Sequence, residues 1–556
     1  MTQYAISSPQ RRARMDVSKL ALAVAVLSAG SANAMSFDTG IEEFSLRWDN
    51  TVKYSTAWRT KDRSAALSSE APASPNQNDG NNNFDKGLVS NRLDLFSEMD
   101  ASYKNFGARV SAAAWYDSIY HRSNDNDGTT DNRPAGESAN TFPDDTKSLM
   151  GGSGEILDAF VYTNFDLAGH GTTARLGRHT IVWGESLFFA SNSIAGVMAP
   201  VDTIKARSVP SSTTKEILRP VGKASTVVQI SDNLSFSAYV PYEWEASRLV
   251  PVGSYLSPGD SVGPGAELNL AGAAGNFDVI SERTPSAGRQ GGVALNWHSE
   301  AIDTDVGFYA VRYNALAPSG IYLTWAGVPG LSRPLTFQSV YHEGSKAYGI
   351  SASRLIGDVS FGAEVSLRDN VPLSSDGVSI NAAAVTAGNA YNTTDNPGYA
   401  VGRTAHAQIS WISSLSPRWF YNEASWSGEI AWNRRLSFTR GEQFANALAD
   451  RDASAIRMVF RPVYRQVFDG VDLAVPISAS YVHGKSSAIG PSWGVDRGGD
   501  FSIGVDAVYL NRWNVGLSYV GFYGSEGPPQ NAARQQQYKQ TLKDRNFINL
   551  SVSTTF

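Results

Sequence analysis

Residues Arg545–Phe556 read RNFINLSVSTTF. Ile548, Leu550, Val552 and Phe556 share one parity, and Asn549, Ser551, Ser553 and Thr555 share the other. A period of two marks a strand whose two faces meet different surroundings. The same alternation recurs upstream. Phe44, Leu46, Trp48, Val52, Tyr54 and Trp58 oppose Ser45, Arg47, Asp49, Thr51, Lys53 and Ser55. Leu93, Leu95, Met99, Ala101 and Tyr103 oppose Arg92, Asp94, Glu98 and Asp100. Further copies are Phe236 to Trp244, Ala424 to Trp432 (against Glu423, Ser425, Ser427 and Glu429), and Ile456 to Phe460 (against Arg457 and Arg461).

Strands are expected near 44–58, 90–104, 107–120, 155–166, 172–183, 223–231, 234–244, 289–297, 304–313, 346–356, 359–368, 401–412, 419–433, 455–466, 471–483, 500–510, 513–523 and 546–556. Many reach about ten residues, the length that crosses a bilayer at a tilt. Their connections alternate. Asn105-Phe106, DLAGHG, Ser231-Asp232-Asn233, His298 to Asp303, Gly357-Asp358, Asp469-Gly470 and Asn511-Arg512 are short, and a long polar loop follows one strand after each. A soluble sandwich also alternates in parity, but it does not sort its connections in this way. The pattern predicts an all-β, antiparallel, transmembrane outer-membrane barrel of about 18 strands (roughly 16 to 18), with long extracellular loops and short periplasmic turns. SPNQNDGNNN after Ala73 and the Gly/Ala-rich run from Gly263 to Gly275 read as loop tips.

Composition agrees. In 556 residues there is no Cys, 18% are charged, 42% are apolar, and Gly (50), Phe (24), Tyr (23) and Trp (13) are abundant. A closed sheet with a greasy outer face and a wet inner face averages to such values. A basic stretch (Arg11, Arg12, Arg14, Lys19), the apolar run LALAVAVLSAG and Ala32-Asn33-Ala34 form a secretory signal over residues 1–34. The mature barrel is then 35–556, with a formal charge of −6 − 4 + 1 = −9. That acidity disfavours a nucleic-acid partner. A terminal aromatic on an alternating last strand resembles the assembly signal of bacterial barrels. The assembly machinery is therefore an expected partner through Phe556, alongside outer-membrane lipid and a small-molecule solute.

Residues 176–186 read LGRHTIVWGES. Pro200-Val201-Asp202, KEILRP at 215–220 and Tyr242-Glu243-Trp244 follow. As a set these resemble the proteobacterial outer-membrane family known as domain of unknown function 1302, over nearly the whole mature chain. Gln is commoner in that family where this chain has His179. The resemblance implies a porin-like barrel that helps move hydrophobic compounds such as steroids, terpenoids or lipid-like molecules.

The same segment supplies candidate channel residues. Arg175 and Arg178 fall on opposite parities, and a bulge at Gly177 would turn both inward. Trp183 ends the strand, and Glu185 opens a loop running to Gly222 that also carries Asp202, Lys215 and Glu216. If that loop folds inward, Asp202 and Glu216 would pair with Arg175, Arg178 or wall arginines such as Arg457 and Arg461, forming a constriction. Such pairs either pin the loop or touch the solute. Parity places Arg47, Arg92, Asp94, Glu98, Asp100, Glu364, Glu423 and Glu429 inside as well, and this mixture of signs argues against a simple ion filter. Trp183, Phe188, Phe189 and Ile194 to Met198 make the loop partly apolar, which suits a greasy ligand.

Catalytic and metal signatures are weak. No G-x-S-x-G elbow occurs, the seven His are scattered, and His121 with Asp117 lacks a defined Ser partner. SNDNDGTTDN lacks EF-hand spacing, and neither a metal nor a cofactor is expected. The expectation is a passive outer-membrane channel for a small hydrophobic or amphipathic solute. A general water-filled porin and a surface adhesion or structural barrel are the alternatives.

Overall fold

The computed structural model describes residues 35–37, 40–68, 76–129, 132–270, 276–325, 335–381, 391 and 395–556. The secretory signal expected at 1–34 falls outside the described residues.

Eighteen antiparallel staves form one sheet. They are β1 (Phe44–Arg59), β2 (Gly87–Tyr103), β3 (Phe106–Asp117), β4 (Gly152–Leu167), β5 (His170–His179), β6 (Val221–Ser231), β7 (Leu234–Pro241), β8 (Gly291–Ser299), β9 (Thr304–Tyr313), β10 (Ser345–Ile356), β11 (Val359–Pro372), β12 (Val401–Leu415), β13 (Glu423–Arg440), β14 (Asp452–Phe468), β15 (Val471–Ala474 and Ile477–His483), β16 (Gly499–Tyr509), β17 (Trp513–Tyr523) and β18 (Phe547–Thr555). Each pairs with the next in the chain. β18 returns to β1, from Thr51↔Thr555 to Arg59↔Phe547, so the sheet closes into a barrel. Met35–Phe37 continues the same edge of β1, opposite Leu46 to Trp48. Closure leaves no backbone edge facing lipid, where an unpaired N–H or C=O would cost several kcal/mol (~4 or more).

Short turns lie at one end. They use left-handed backbone such as Ala168 (φ +54°) and Gly169 (φ +86°), Gly357 (φ +60°) and Gly470 (φ +73°). Positive φ matches the twist of tight hairpins. The long loops lie at the other end. Exposure is inverted relative to a soluble protein. Leu295, Trp297, Ile350, Leu367, Ile409, Ile430 and Ile503 are exposed, whereas Lys53, Arg92, Asp94, Glu364, His406, Glu429 and Asn433 are buried. The exposed row is the lipid face, and the buried row faces a filled lumen. Tyr103, Phe106, Trp297, Phe468, Tyr509 and Trp513 ring the short-turn end, where amphipathic rings suit a membrane interface.

Loops fill the long-loop half. Phe84, Tyr120, Phe142, Ile204, Val209, Val250 and Tyr255 come from four different loops and pack against the wall at Ala57, Val89 and Phe547. A small five-stranded sheet (Leu268–Leu270, Asn276–Val279, Gly320–Thr324, Thr336–Val340 and Val378–Ile380) ties three loops together around Phe277, Leu323 and Phe337.

Several local expectations change. SPNQNDGNNN is not a loop tip where it is described, because Asn78 to Asn83 are buried. Arg59 explains why: its guanidinium donates to the carbonyl of Phe84 (2.6 Å), to Asn81 Oδ1 (2.6 Å) and to Asp544 (2.9 Å). β5 ends at His179 rather than Trp183, because the chain leaves the wall there and turns inward. β13 runs on to Arg440, well past the membrane length, because it keeps pairing with β12 above it. No bulge forms at Gly177. The register is continuous from Leu167↔His170 to Ala159↔Arg178, so Arg175 and Arg178 stay on opposite faces.

Candidate functional site

Loop 180–220 leaves the wall after β5 and crosses the lumen. It is fastened on the far side, at β11, β12 and β13. Glu429 of β13 accepts hydrogen bonds at Oε2 from the backbone N–H groups of Leu187 (2.9 Å), Phe188 and Phe189 (3.1 Å), and at Oε1 from Ser186 Oγ (3.0 Å). Glu364 of β11 accepts from the N–H groups of Glu185 (3.1 Å) and Ile194 (2.7 Å). From β12, Ser410 Oγ donates to the carbonyl of Glu185 (2.9 Å), and His406 Nδ1 meets Asn192 Oδ1 at 3.1 Å. Arg368 donates to the carbonyl of Ser193 (2.9 Å). Both carboxylates are buried. They persist there because peptide N–H groups replace water as hydrogen-bond donors.

The local sequence accounts for this seat. Gly184 has φ +93°, and a Cβ there would run into the Glu364 carboxylate. Trp183 leaves the wall to stack on Tyr309 (6.0 Å) and meet Tyr239 edge-on (5.3 Å). With Ile194, Val197 and Met198 it forms an apolar cluster inside the barrel. The apolar stretch of the loop is therefore a packed core rather than an open greasy wall. Burial raises the Glu185 carboxyl above its ordinary value, offset in part by a hydrogen bond from Ser353.

The second half of the loop returns along β1 to β4. Asp202 caps the helical turn Thr203–Ser208, accepting from the N–H groups of Ile204 (2.9 Å) and Lys205 (3.0 Å), and its other oxygen holds Arg248 at 2.6 Å. Arg248 also grips Glu155 of β4 (2.5 Å). Lys205 reaches Asp94 of β2 (2.7 Å), which Arg92 grips with two nitrogens (2.8 and 2.9 Å). Lys215 meets Glu98 at 2.9 Å. Glu216 closes a capping box with Thr213 and lies 3.5 Å from Lys205 and 3.9 Å from Lys53. The wall thus pairs with this loop largely through lysines and acids.

Pairing of Asp202 and Glu216 with Arg175, Arg178, Arg457 or Arg461 does not form. Arg175 lies over the Phe160 ring at 5.9 Å. Arg178 pairs with Glu243 (3.1 Å) and Glu245 (2.9 Å) just beyond β7. Arg457 grips Asp500 with contacts of 2.6 and 2.7 Å, and Arg461 lies 3.8 Å from Asp506. Sequence reasoning missed the functional pairing of Glu364 and Glu429 with the loop. It read both as inward-facing, but no local signal names a partner some two hundred residues away. It also missed Arg248, which comes from the loop after β7 and joins Asp202 to Glu155 of the wall.

Below the crossing loop the short-turn half stays open. A cavity of about 660 Å³ lies between β1, β2 and β16 to β18, with Lys215, Glu216, Arg461 and Asp506 on its charged side and Phe96 and Val508 on its apolar side. A smaller one of about 210 Å³ lies under Glu185 and Tyr309. Among the described residues no His/Asp/Glu cluster has the geometry of a metal site. Asp117 is occupied by Ser90 (2.5 Å) and by backbone N–H groups, while His121 meets the carbonyl of Gly151 (3.0 Å), so the two form no catalytic relay.

The family described as protein of unknown function (DUF1302) matches the chain over residues 17–556. No curated protein matches it. Solved structures that it resembles include Acinetobacter baumannii OccAB1 (9% identity, TM-score 0.44, covering 94% of this chain and 98% of that one). Another is the outer membrane protein opdK from Pseudomonas aeruginosa (10%, TM-score 0.39, 92% and 98%). A third is the outer membrane channel DcaP of Acinetobacter baumannii (9%, TM-score 0.36, 94% and 99%).

Proposed function

The chain belongs to the family described as protein of unknown function (DUF1302), and from that premise we propose that it is a passive outer-membrane channel for a small amphipathic or hydrophobic solute of steroid, terpenoid or lipid-like character. One observation carries the reading: loop 180–220 crosses the lumen and is held on the opposite wall by Glu364 and Glu429. A loop fixed in this way narrows the passage at a defined depth and leaves a cavity on the periplasmic side.

The charges at the crossing support a solute that is not a simple ion. Asp94, Glu98, Asp202 and Glu216 each have a cationic partner, so their fields largely cancel. A general water-filled porin would keep an unobstructed bore. Here the loops of the long-loop half share a packed apolar core with the wall, which favours selective over general passage. The residues proposed to meet the solute lie below the crossing: Lys215, Glu216 and Arg461, with Trp183 and Glu185 setting the depth of the constriction. Planar-bilayer recording tests this. The channel should show small, infrequent conductance steps and be blocked by a water-soluble steroid conjugate. A large, stable, unselective conductance would contradict it.

A further inference from the structure

Six residues of segment 200–220 carry charge: Asp202, Lys205, Arg207, Lys215, Glu216 and Arg219. Five are paired, with Arg248, Asp94, Glu98, Lys205 and Glu245 respectively for Asp202, Lys205, Lys215, Glu216 and Arg219. Arg207 is the exception. It is exposed, on the helical turn Thr203–Ser208, and it makes no hydrogen bond or ion pair with any described residue. Its neighbours on the turn point into the plug: Ile204 sits in the apolar core, and Lys205 is bound to Asp94. The charges that act on Arg207 are those of Arg457 and Asp500, across the lumen on β14 and β16. It is therefore an unused guanidinium inside the barrel, facing water.

The wall opposite continues the feature. Arg457, Arg461 and Arg465 lie four residues apart on β14, so they share its inward parity and follow one another at about 13 Å (four residues at about 3.3 Å each). Each wall arginine has an acid beside it: Asp500, Asp506, and the pair Glu423 and Asp472. Arg207 has no acid within ion-pair distance, and Arg461 has one only at 3.8 Å with no hydrogen bond, so these two guanidinium forks stay free of the hydrogen bonds that hold Arg457 and Arg465. A free fork of that kind matches a carboxylate with two parallel hydrogen bonds. Phe96, Ala507, Val508 and Val515 line the cavity that Arg461 borders and offer an apolar surface to the rest of the molecule.

We infer that Arg207 binds the carboxylate of an amphipathic acid, and that Arg461 and Arg465 continue its path towards the periplasmic end. This rests on the channel reading above and narrows its solute to an anion with an apolar body.

The test uses the whole barrel in lipid nanodiscs. Cyclohexanecarboxylate and its neutral analogue cyclohexanecarboxamide are titrated calorimetrically, with empty nanodiscs as the blank. The carboxylate should bind about tenfold tighter than the amide, the range of one charge-assisted hydrogen bond. Arg207→Gln should bring the two within about twofold, with Arg207→Lys between. Equal binding of both probes to the wild type, or a preference that survives Arg207→Gln, overturns the inference. Absence of binding by either probe to a barrel that still conducts overturns it while leaving the channel reading intact. A barrel that does not conduct at all in planar bilayers removes the channel reading and the inference with it. Arg207→Gln should keep heat-modifiable migration, since Arg207 holds nothing else in place.

Discussion

Glu429, on the wall strand β13, accepts a hydrogen bond at 2.9 Å from the backbone N–H of Leu187, 242 residues earlier in the chain. Two further N–H groups and the Ser186 hydroxyl converge on the same carboxylate. Glu429→Ala should therefore release the loop while leaving the barrel closed. Stranding a buried donor costs about 1–3 kcal/mol, so the latch with its four donors should lose about 4 kcal/mol or more. Single-channel conductance should rise several-fold. Glu429→Gln, which keeps one acceptor oxygen, should fall between. An unchanged conductance in the alanine variant would mean that the loop is held by other contacts.

Gly184 tests the second latch. Its φ of +93° and its closeness to Glu364 leave no room for a side chain. Gly184→Ala should weaken the seat of the loop and raise protease cleavage within 185–200 in outer-membrane preparations. Ala at Gly357, in a short turn with nothing nearby, carries only the backbone penalty of its own φ of +60° and should leave that cleavage unchanged.

Asp94 answers two cations. Arg92 and Lys205 both lie within 2.9 Å, and all three side chains are at most 4% exposed. Asp94→Ala strips the buried Arg92 of its two-nitrogen partner and leaves Lys205 with only Glu216 at 3.5 Å, a loss of about 3–5 kcal/mol. The heat-modifiable band should convert at a lower temperature. Asp100→Ala, at a more exposed wall site paired at 3.8 Å, should shift that temperature little.

A pH effect belongs to the long-loop end. His342 is fully buried there, with its Nδ1 3.0 Å from Tyr399 Oη. Burial, and secondarily the charge of Arg440, push its imidazole down to about 4 from an ordinary 6.5. Between these values the unfolded loop binds a proton that the folded loop refuses. The stabilisation is complete above about pH 6.5 and is lost as pH falls towards 4. Limited proteolysis of loops 314–344 and 373–400 should accelerate from pH 7 to pH 4.5. His342→Gln should flatten that dependence, and a flat wild-type profile would contradict the assignment.

The staves were legible because two requirements write themselves along each strand: an apolar parity for lipid and a polar parity for the lumen. Every expected strand has a counterpart, with ends displaced where pairing continues beyond the membrane, as at Arg440, or stops early, as at His179. The candidate site was legible only as a list. Trp183, Glu185, Asp202, Lys215 and Glu216 are indeed on a loop that enters the lumen, but their partners are set by the curvature of a closed sheet. Closure brings β13 opposite the loop after β5, and no local pattern encodes that distance. The buried asparagines of SPNQNDGNNN show the same limit: their composition reads as solvated, and their environment is fixed by Arg59 and Asp544 from remote parts of the chain.

The central claim is that loop 180–220 spans the lumen and rests on the wall strands β11 to β13. The chain has no Cys, so an introduced pair is unambiguous. Asn192→Cys and His406→Cys replace two side chains that meet at 3.1 Å without touching either carboxylate latch. In outer-membrane preparations a short thiol-to-thiol crosslinker should join the two peptides, identified by mass spectrometry, and single-channel conductance should stay at the unlinked value because the loop is already seated. Two cysteines that both react with a small maleimide but are never joined would contradict the account.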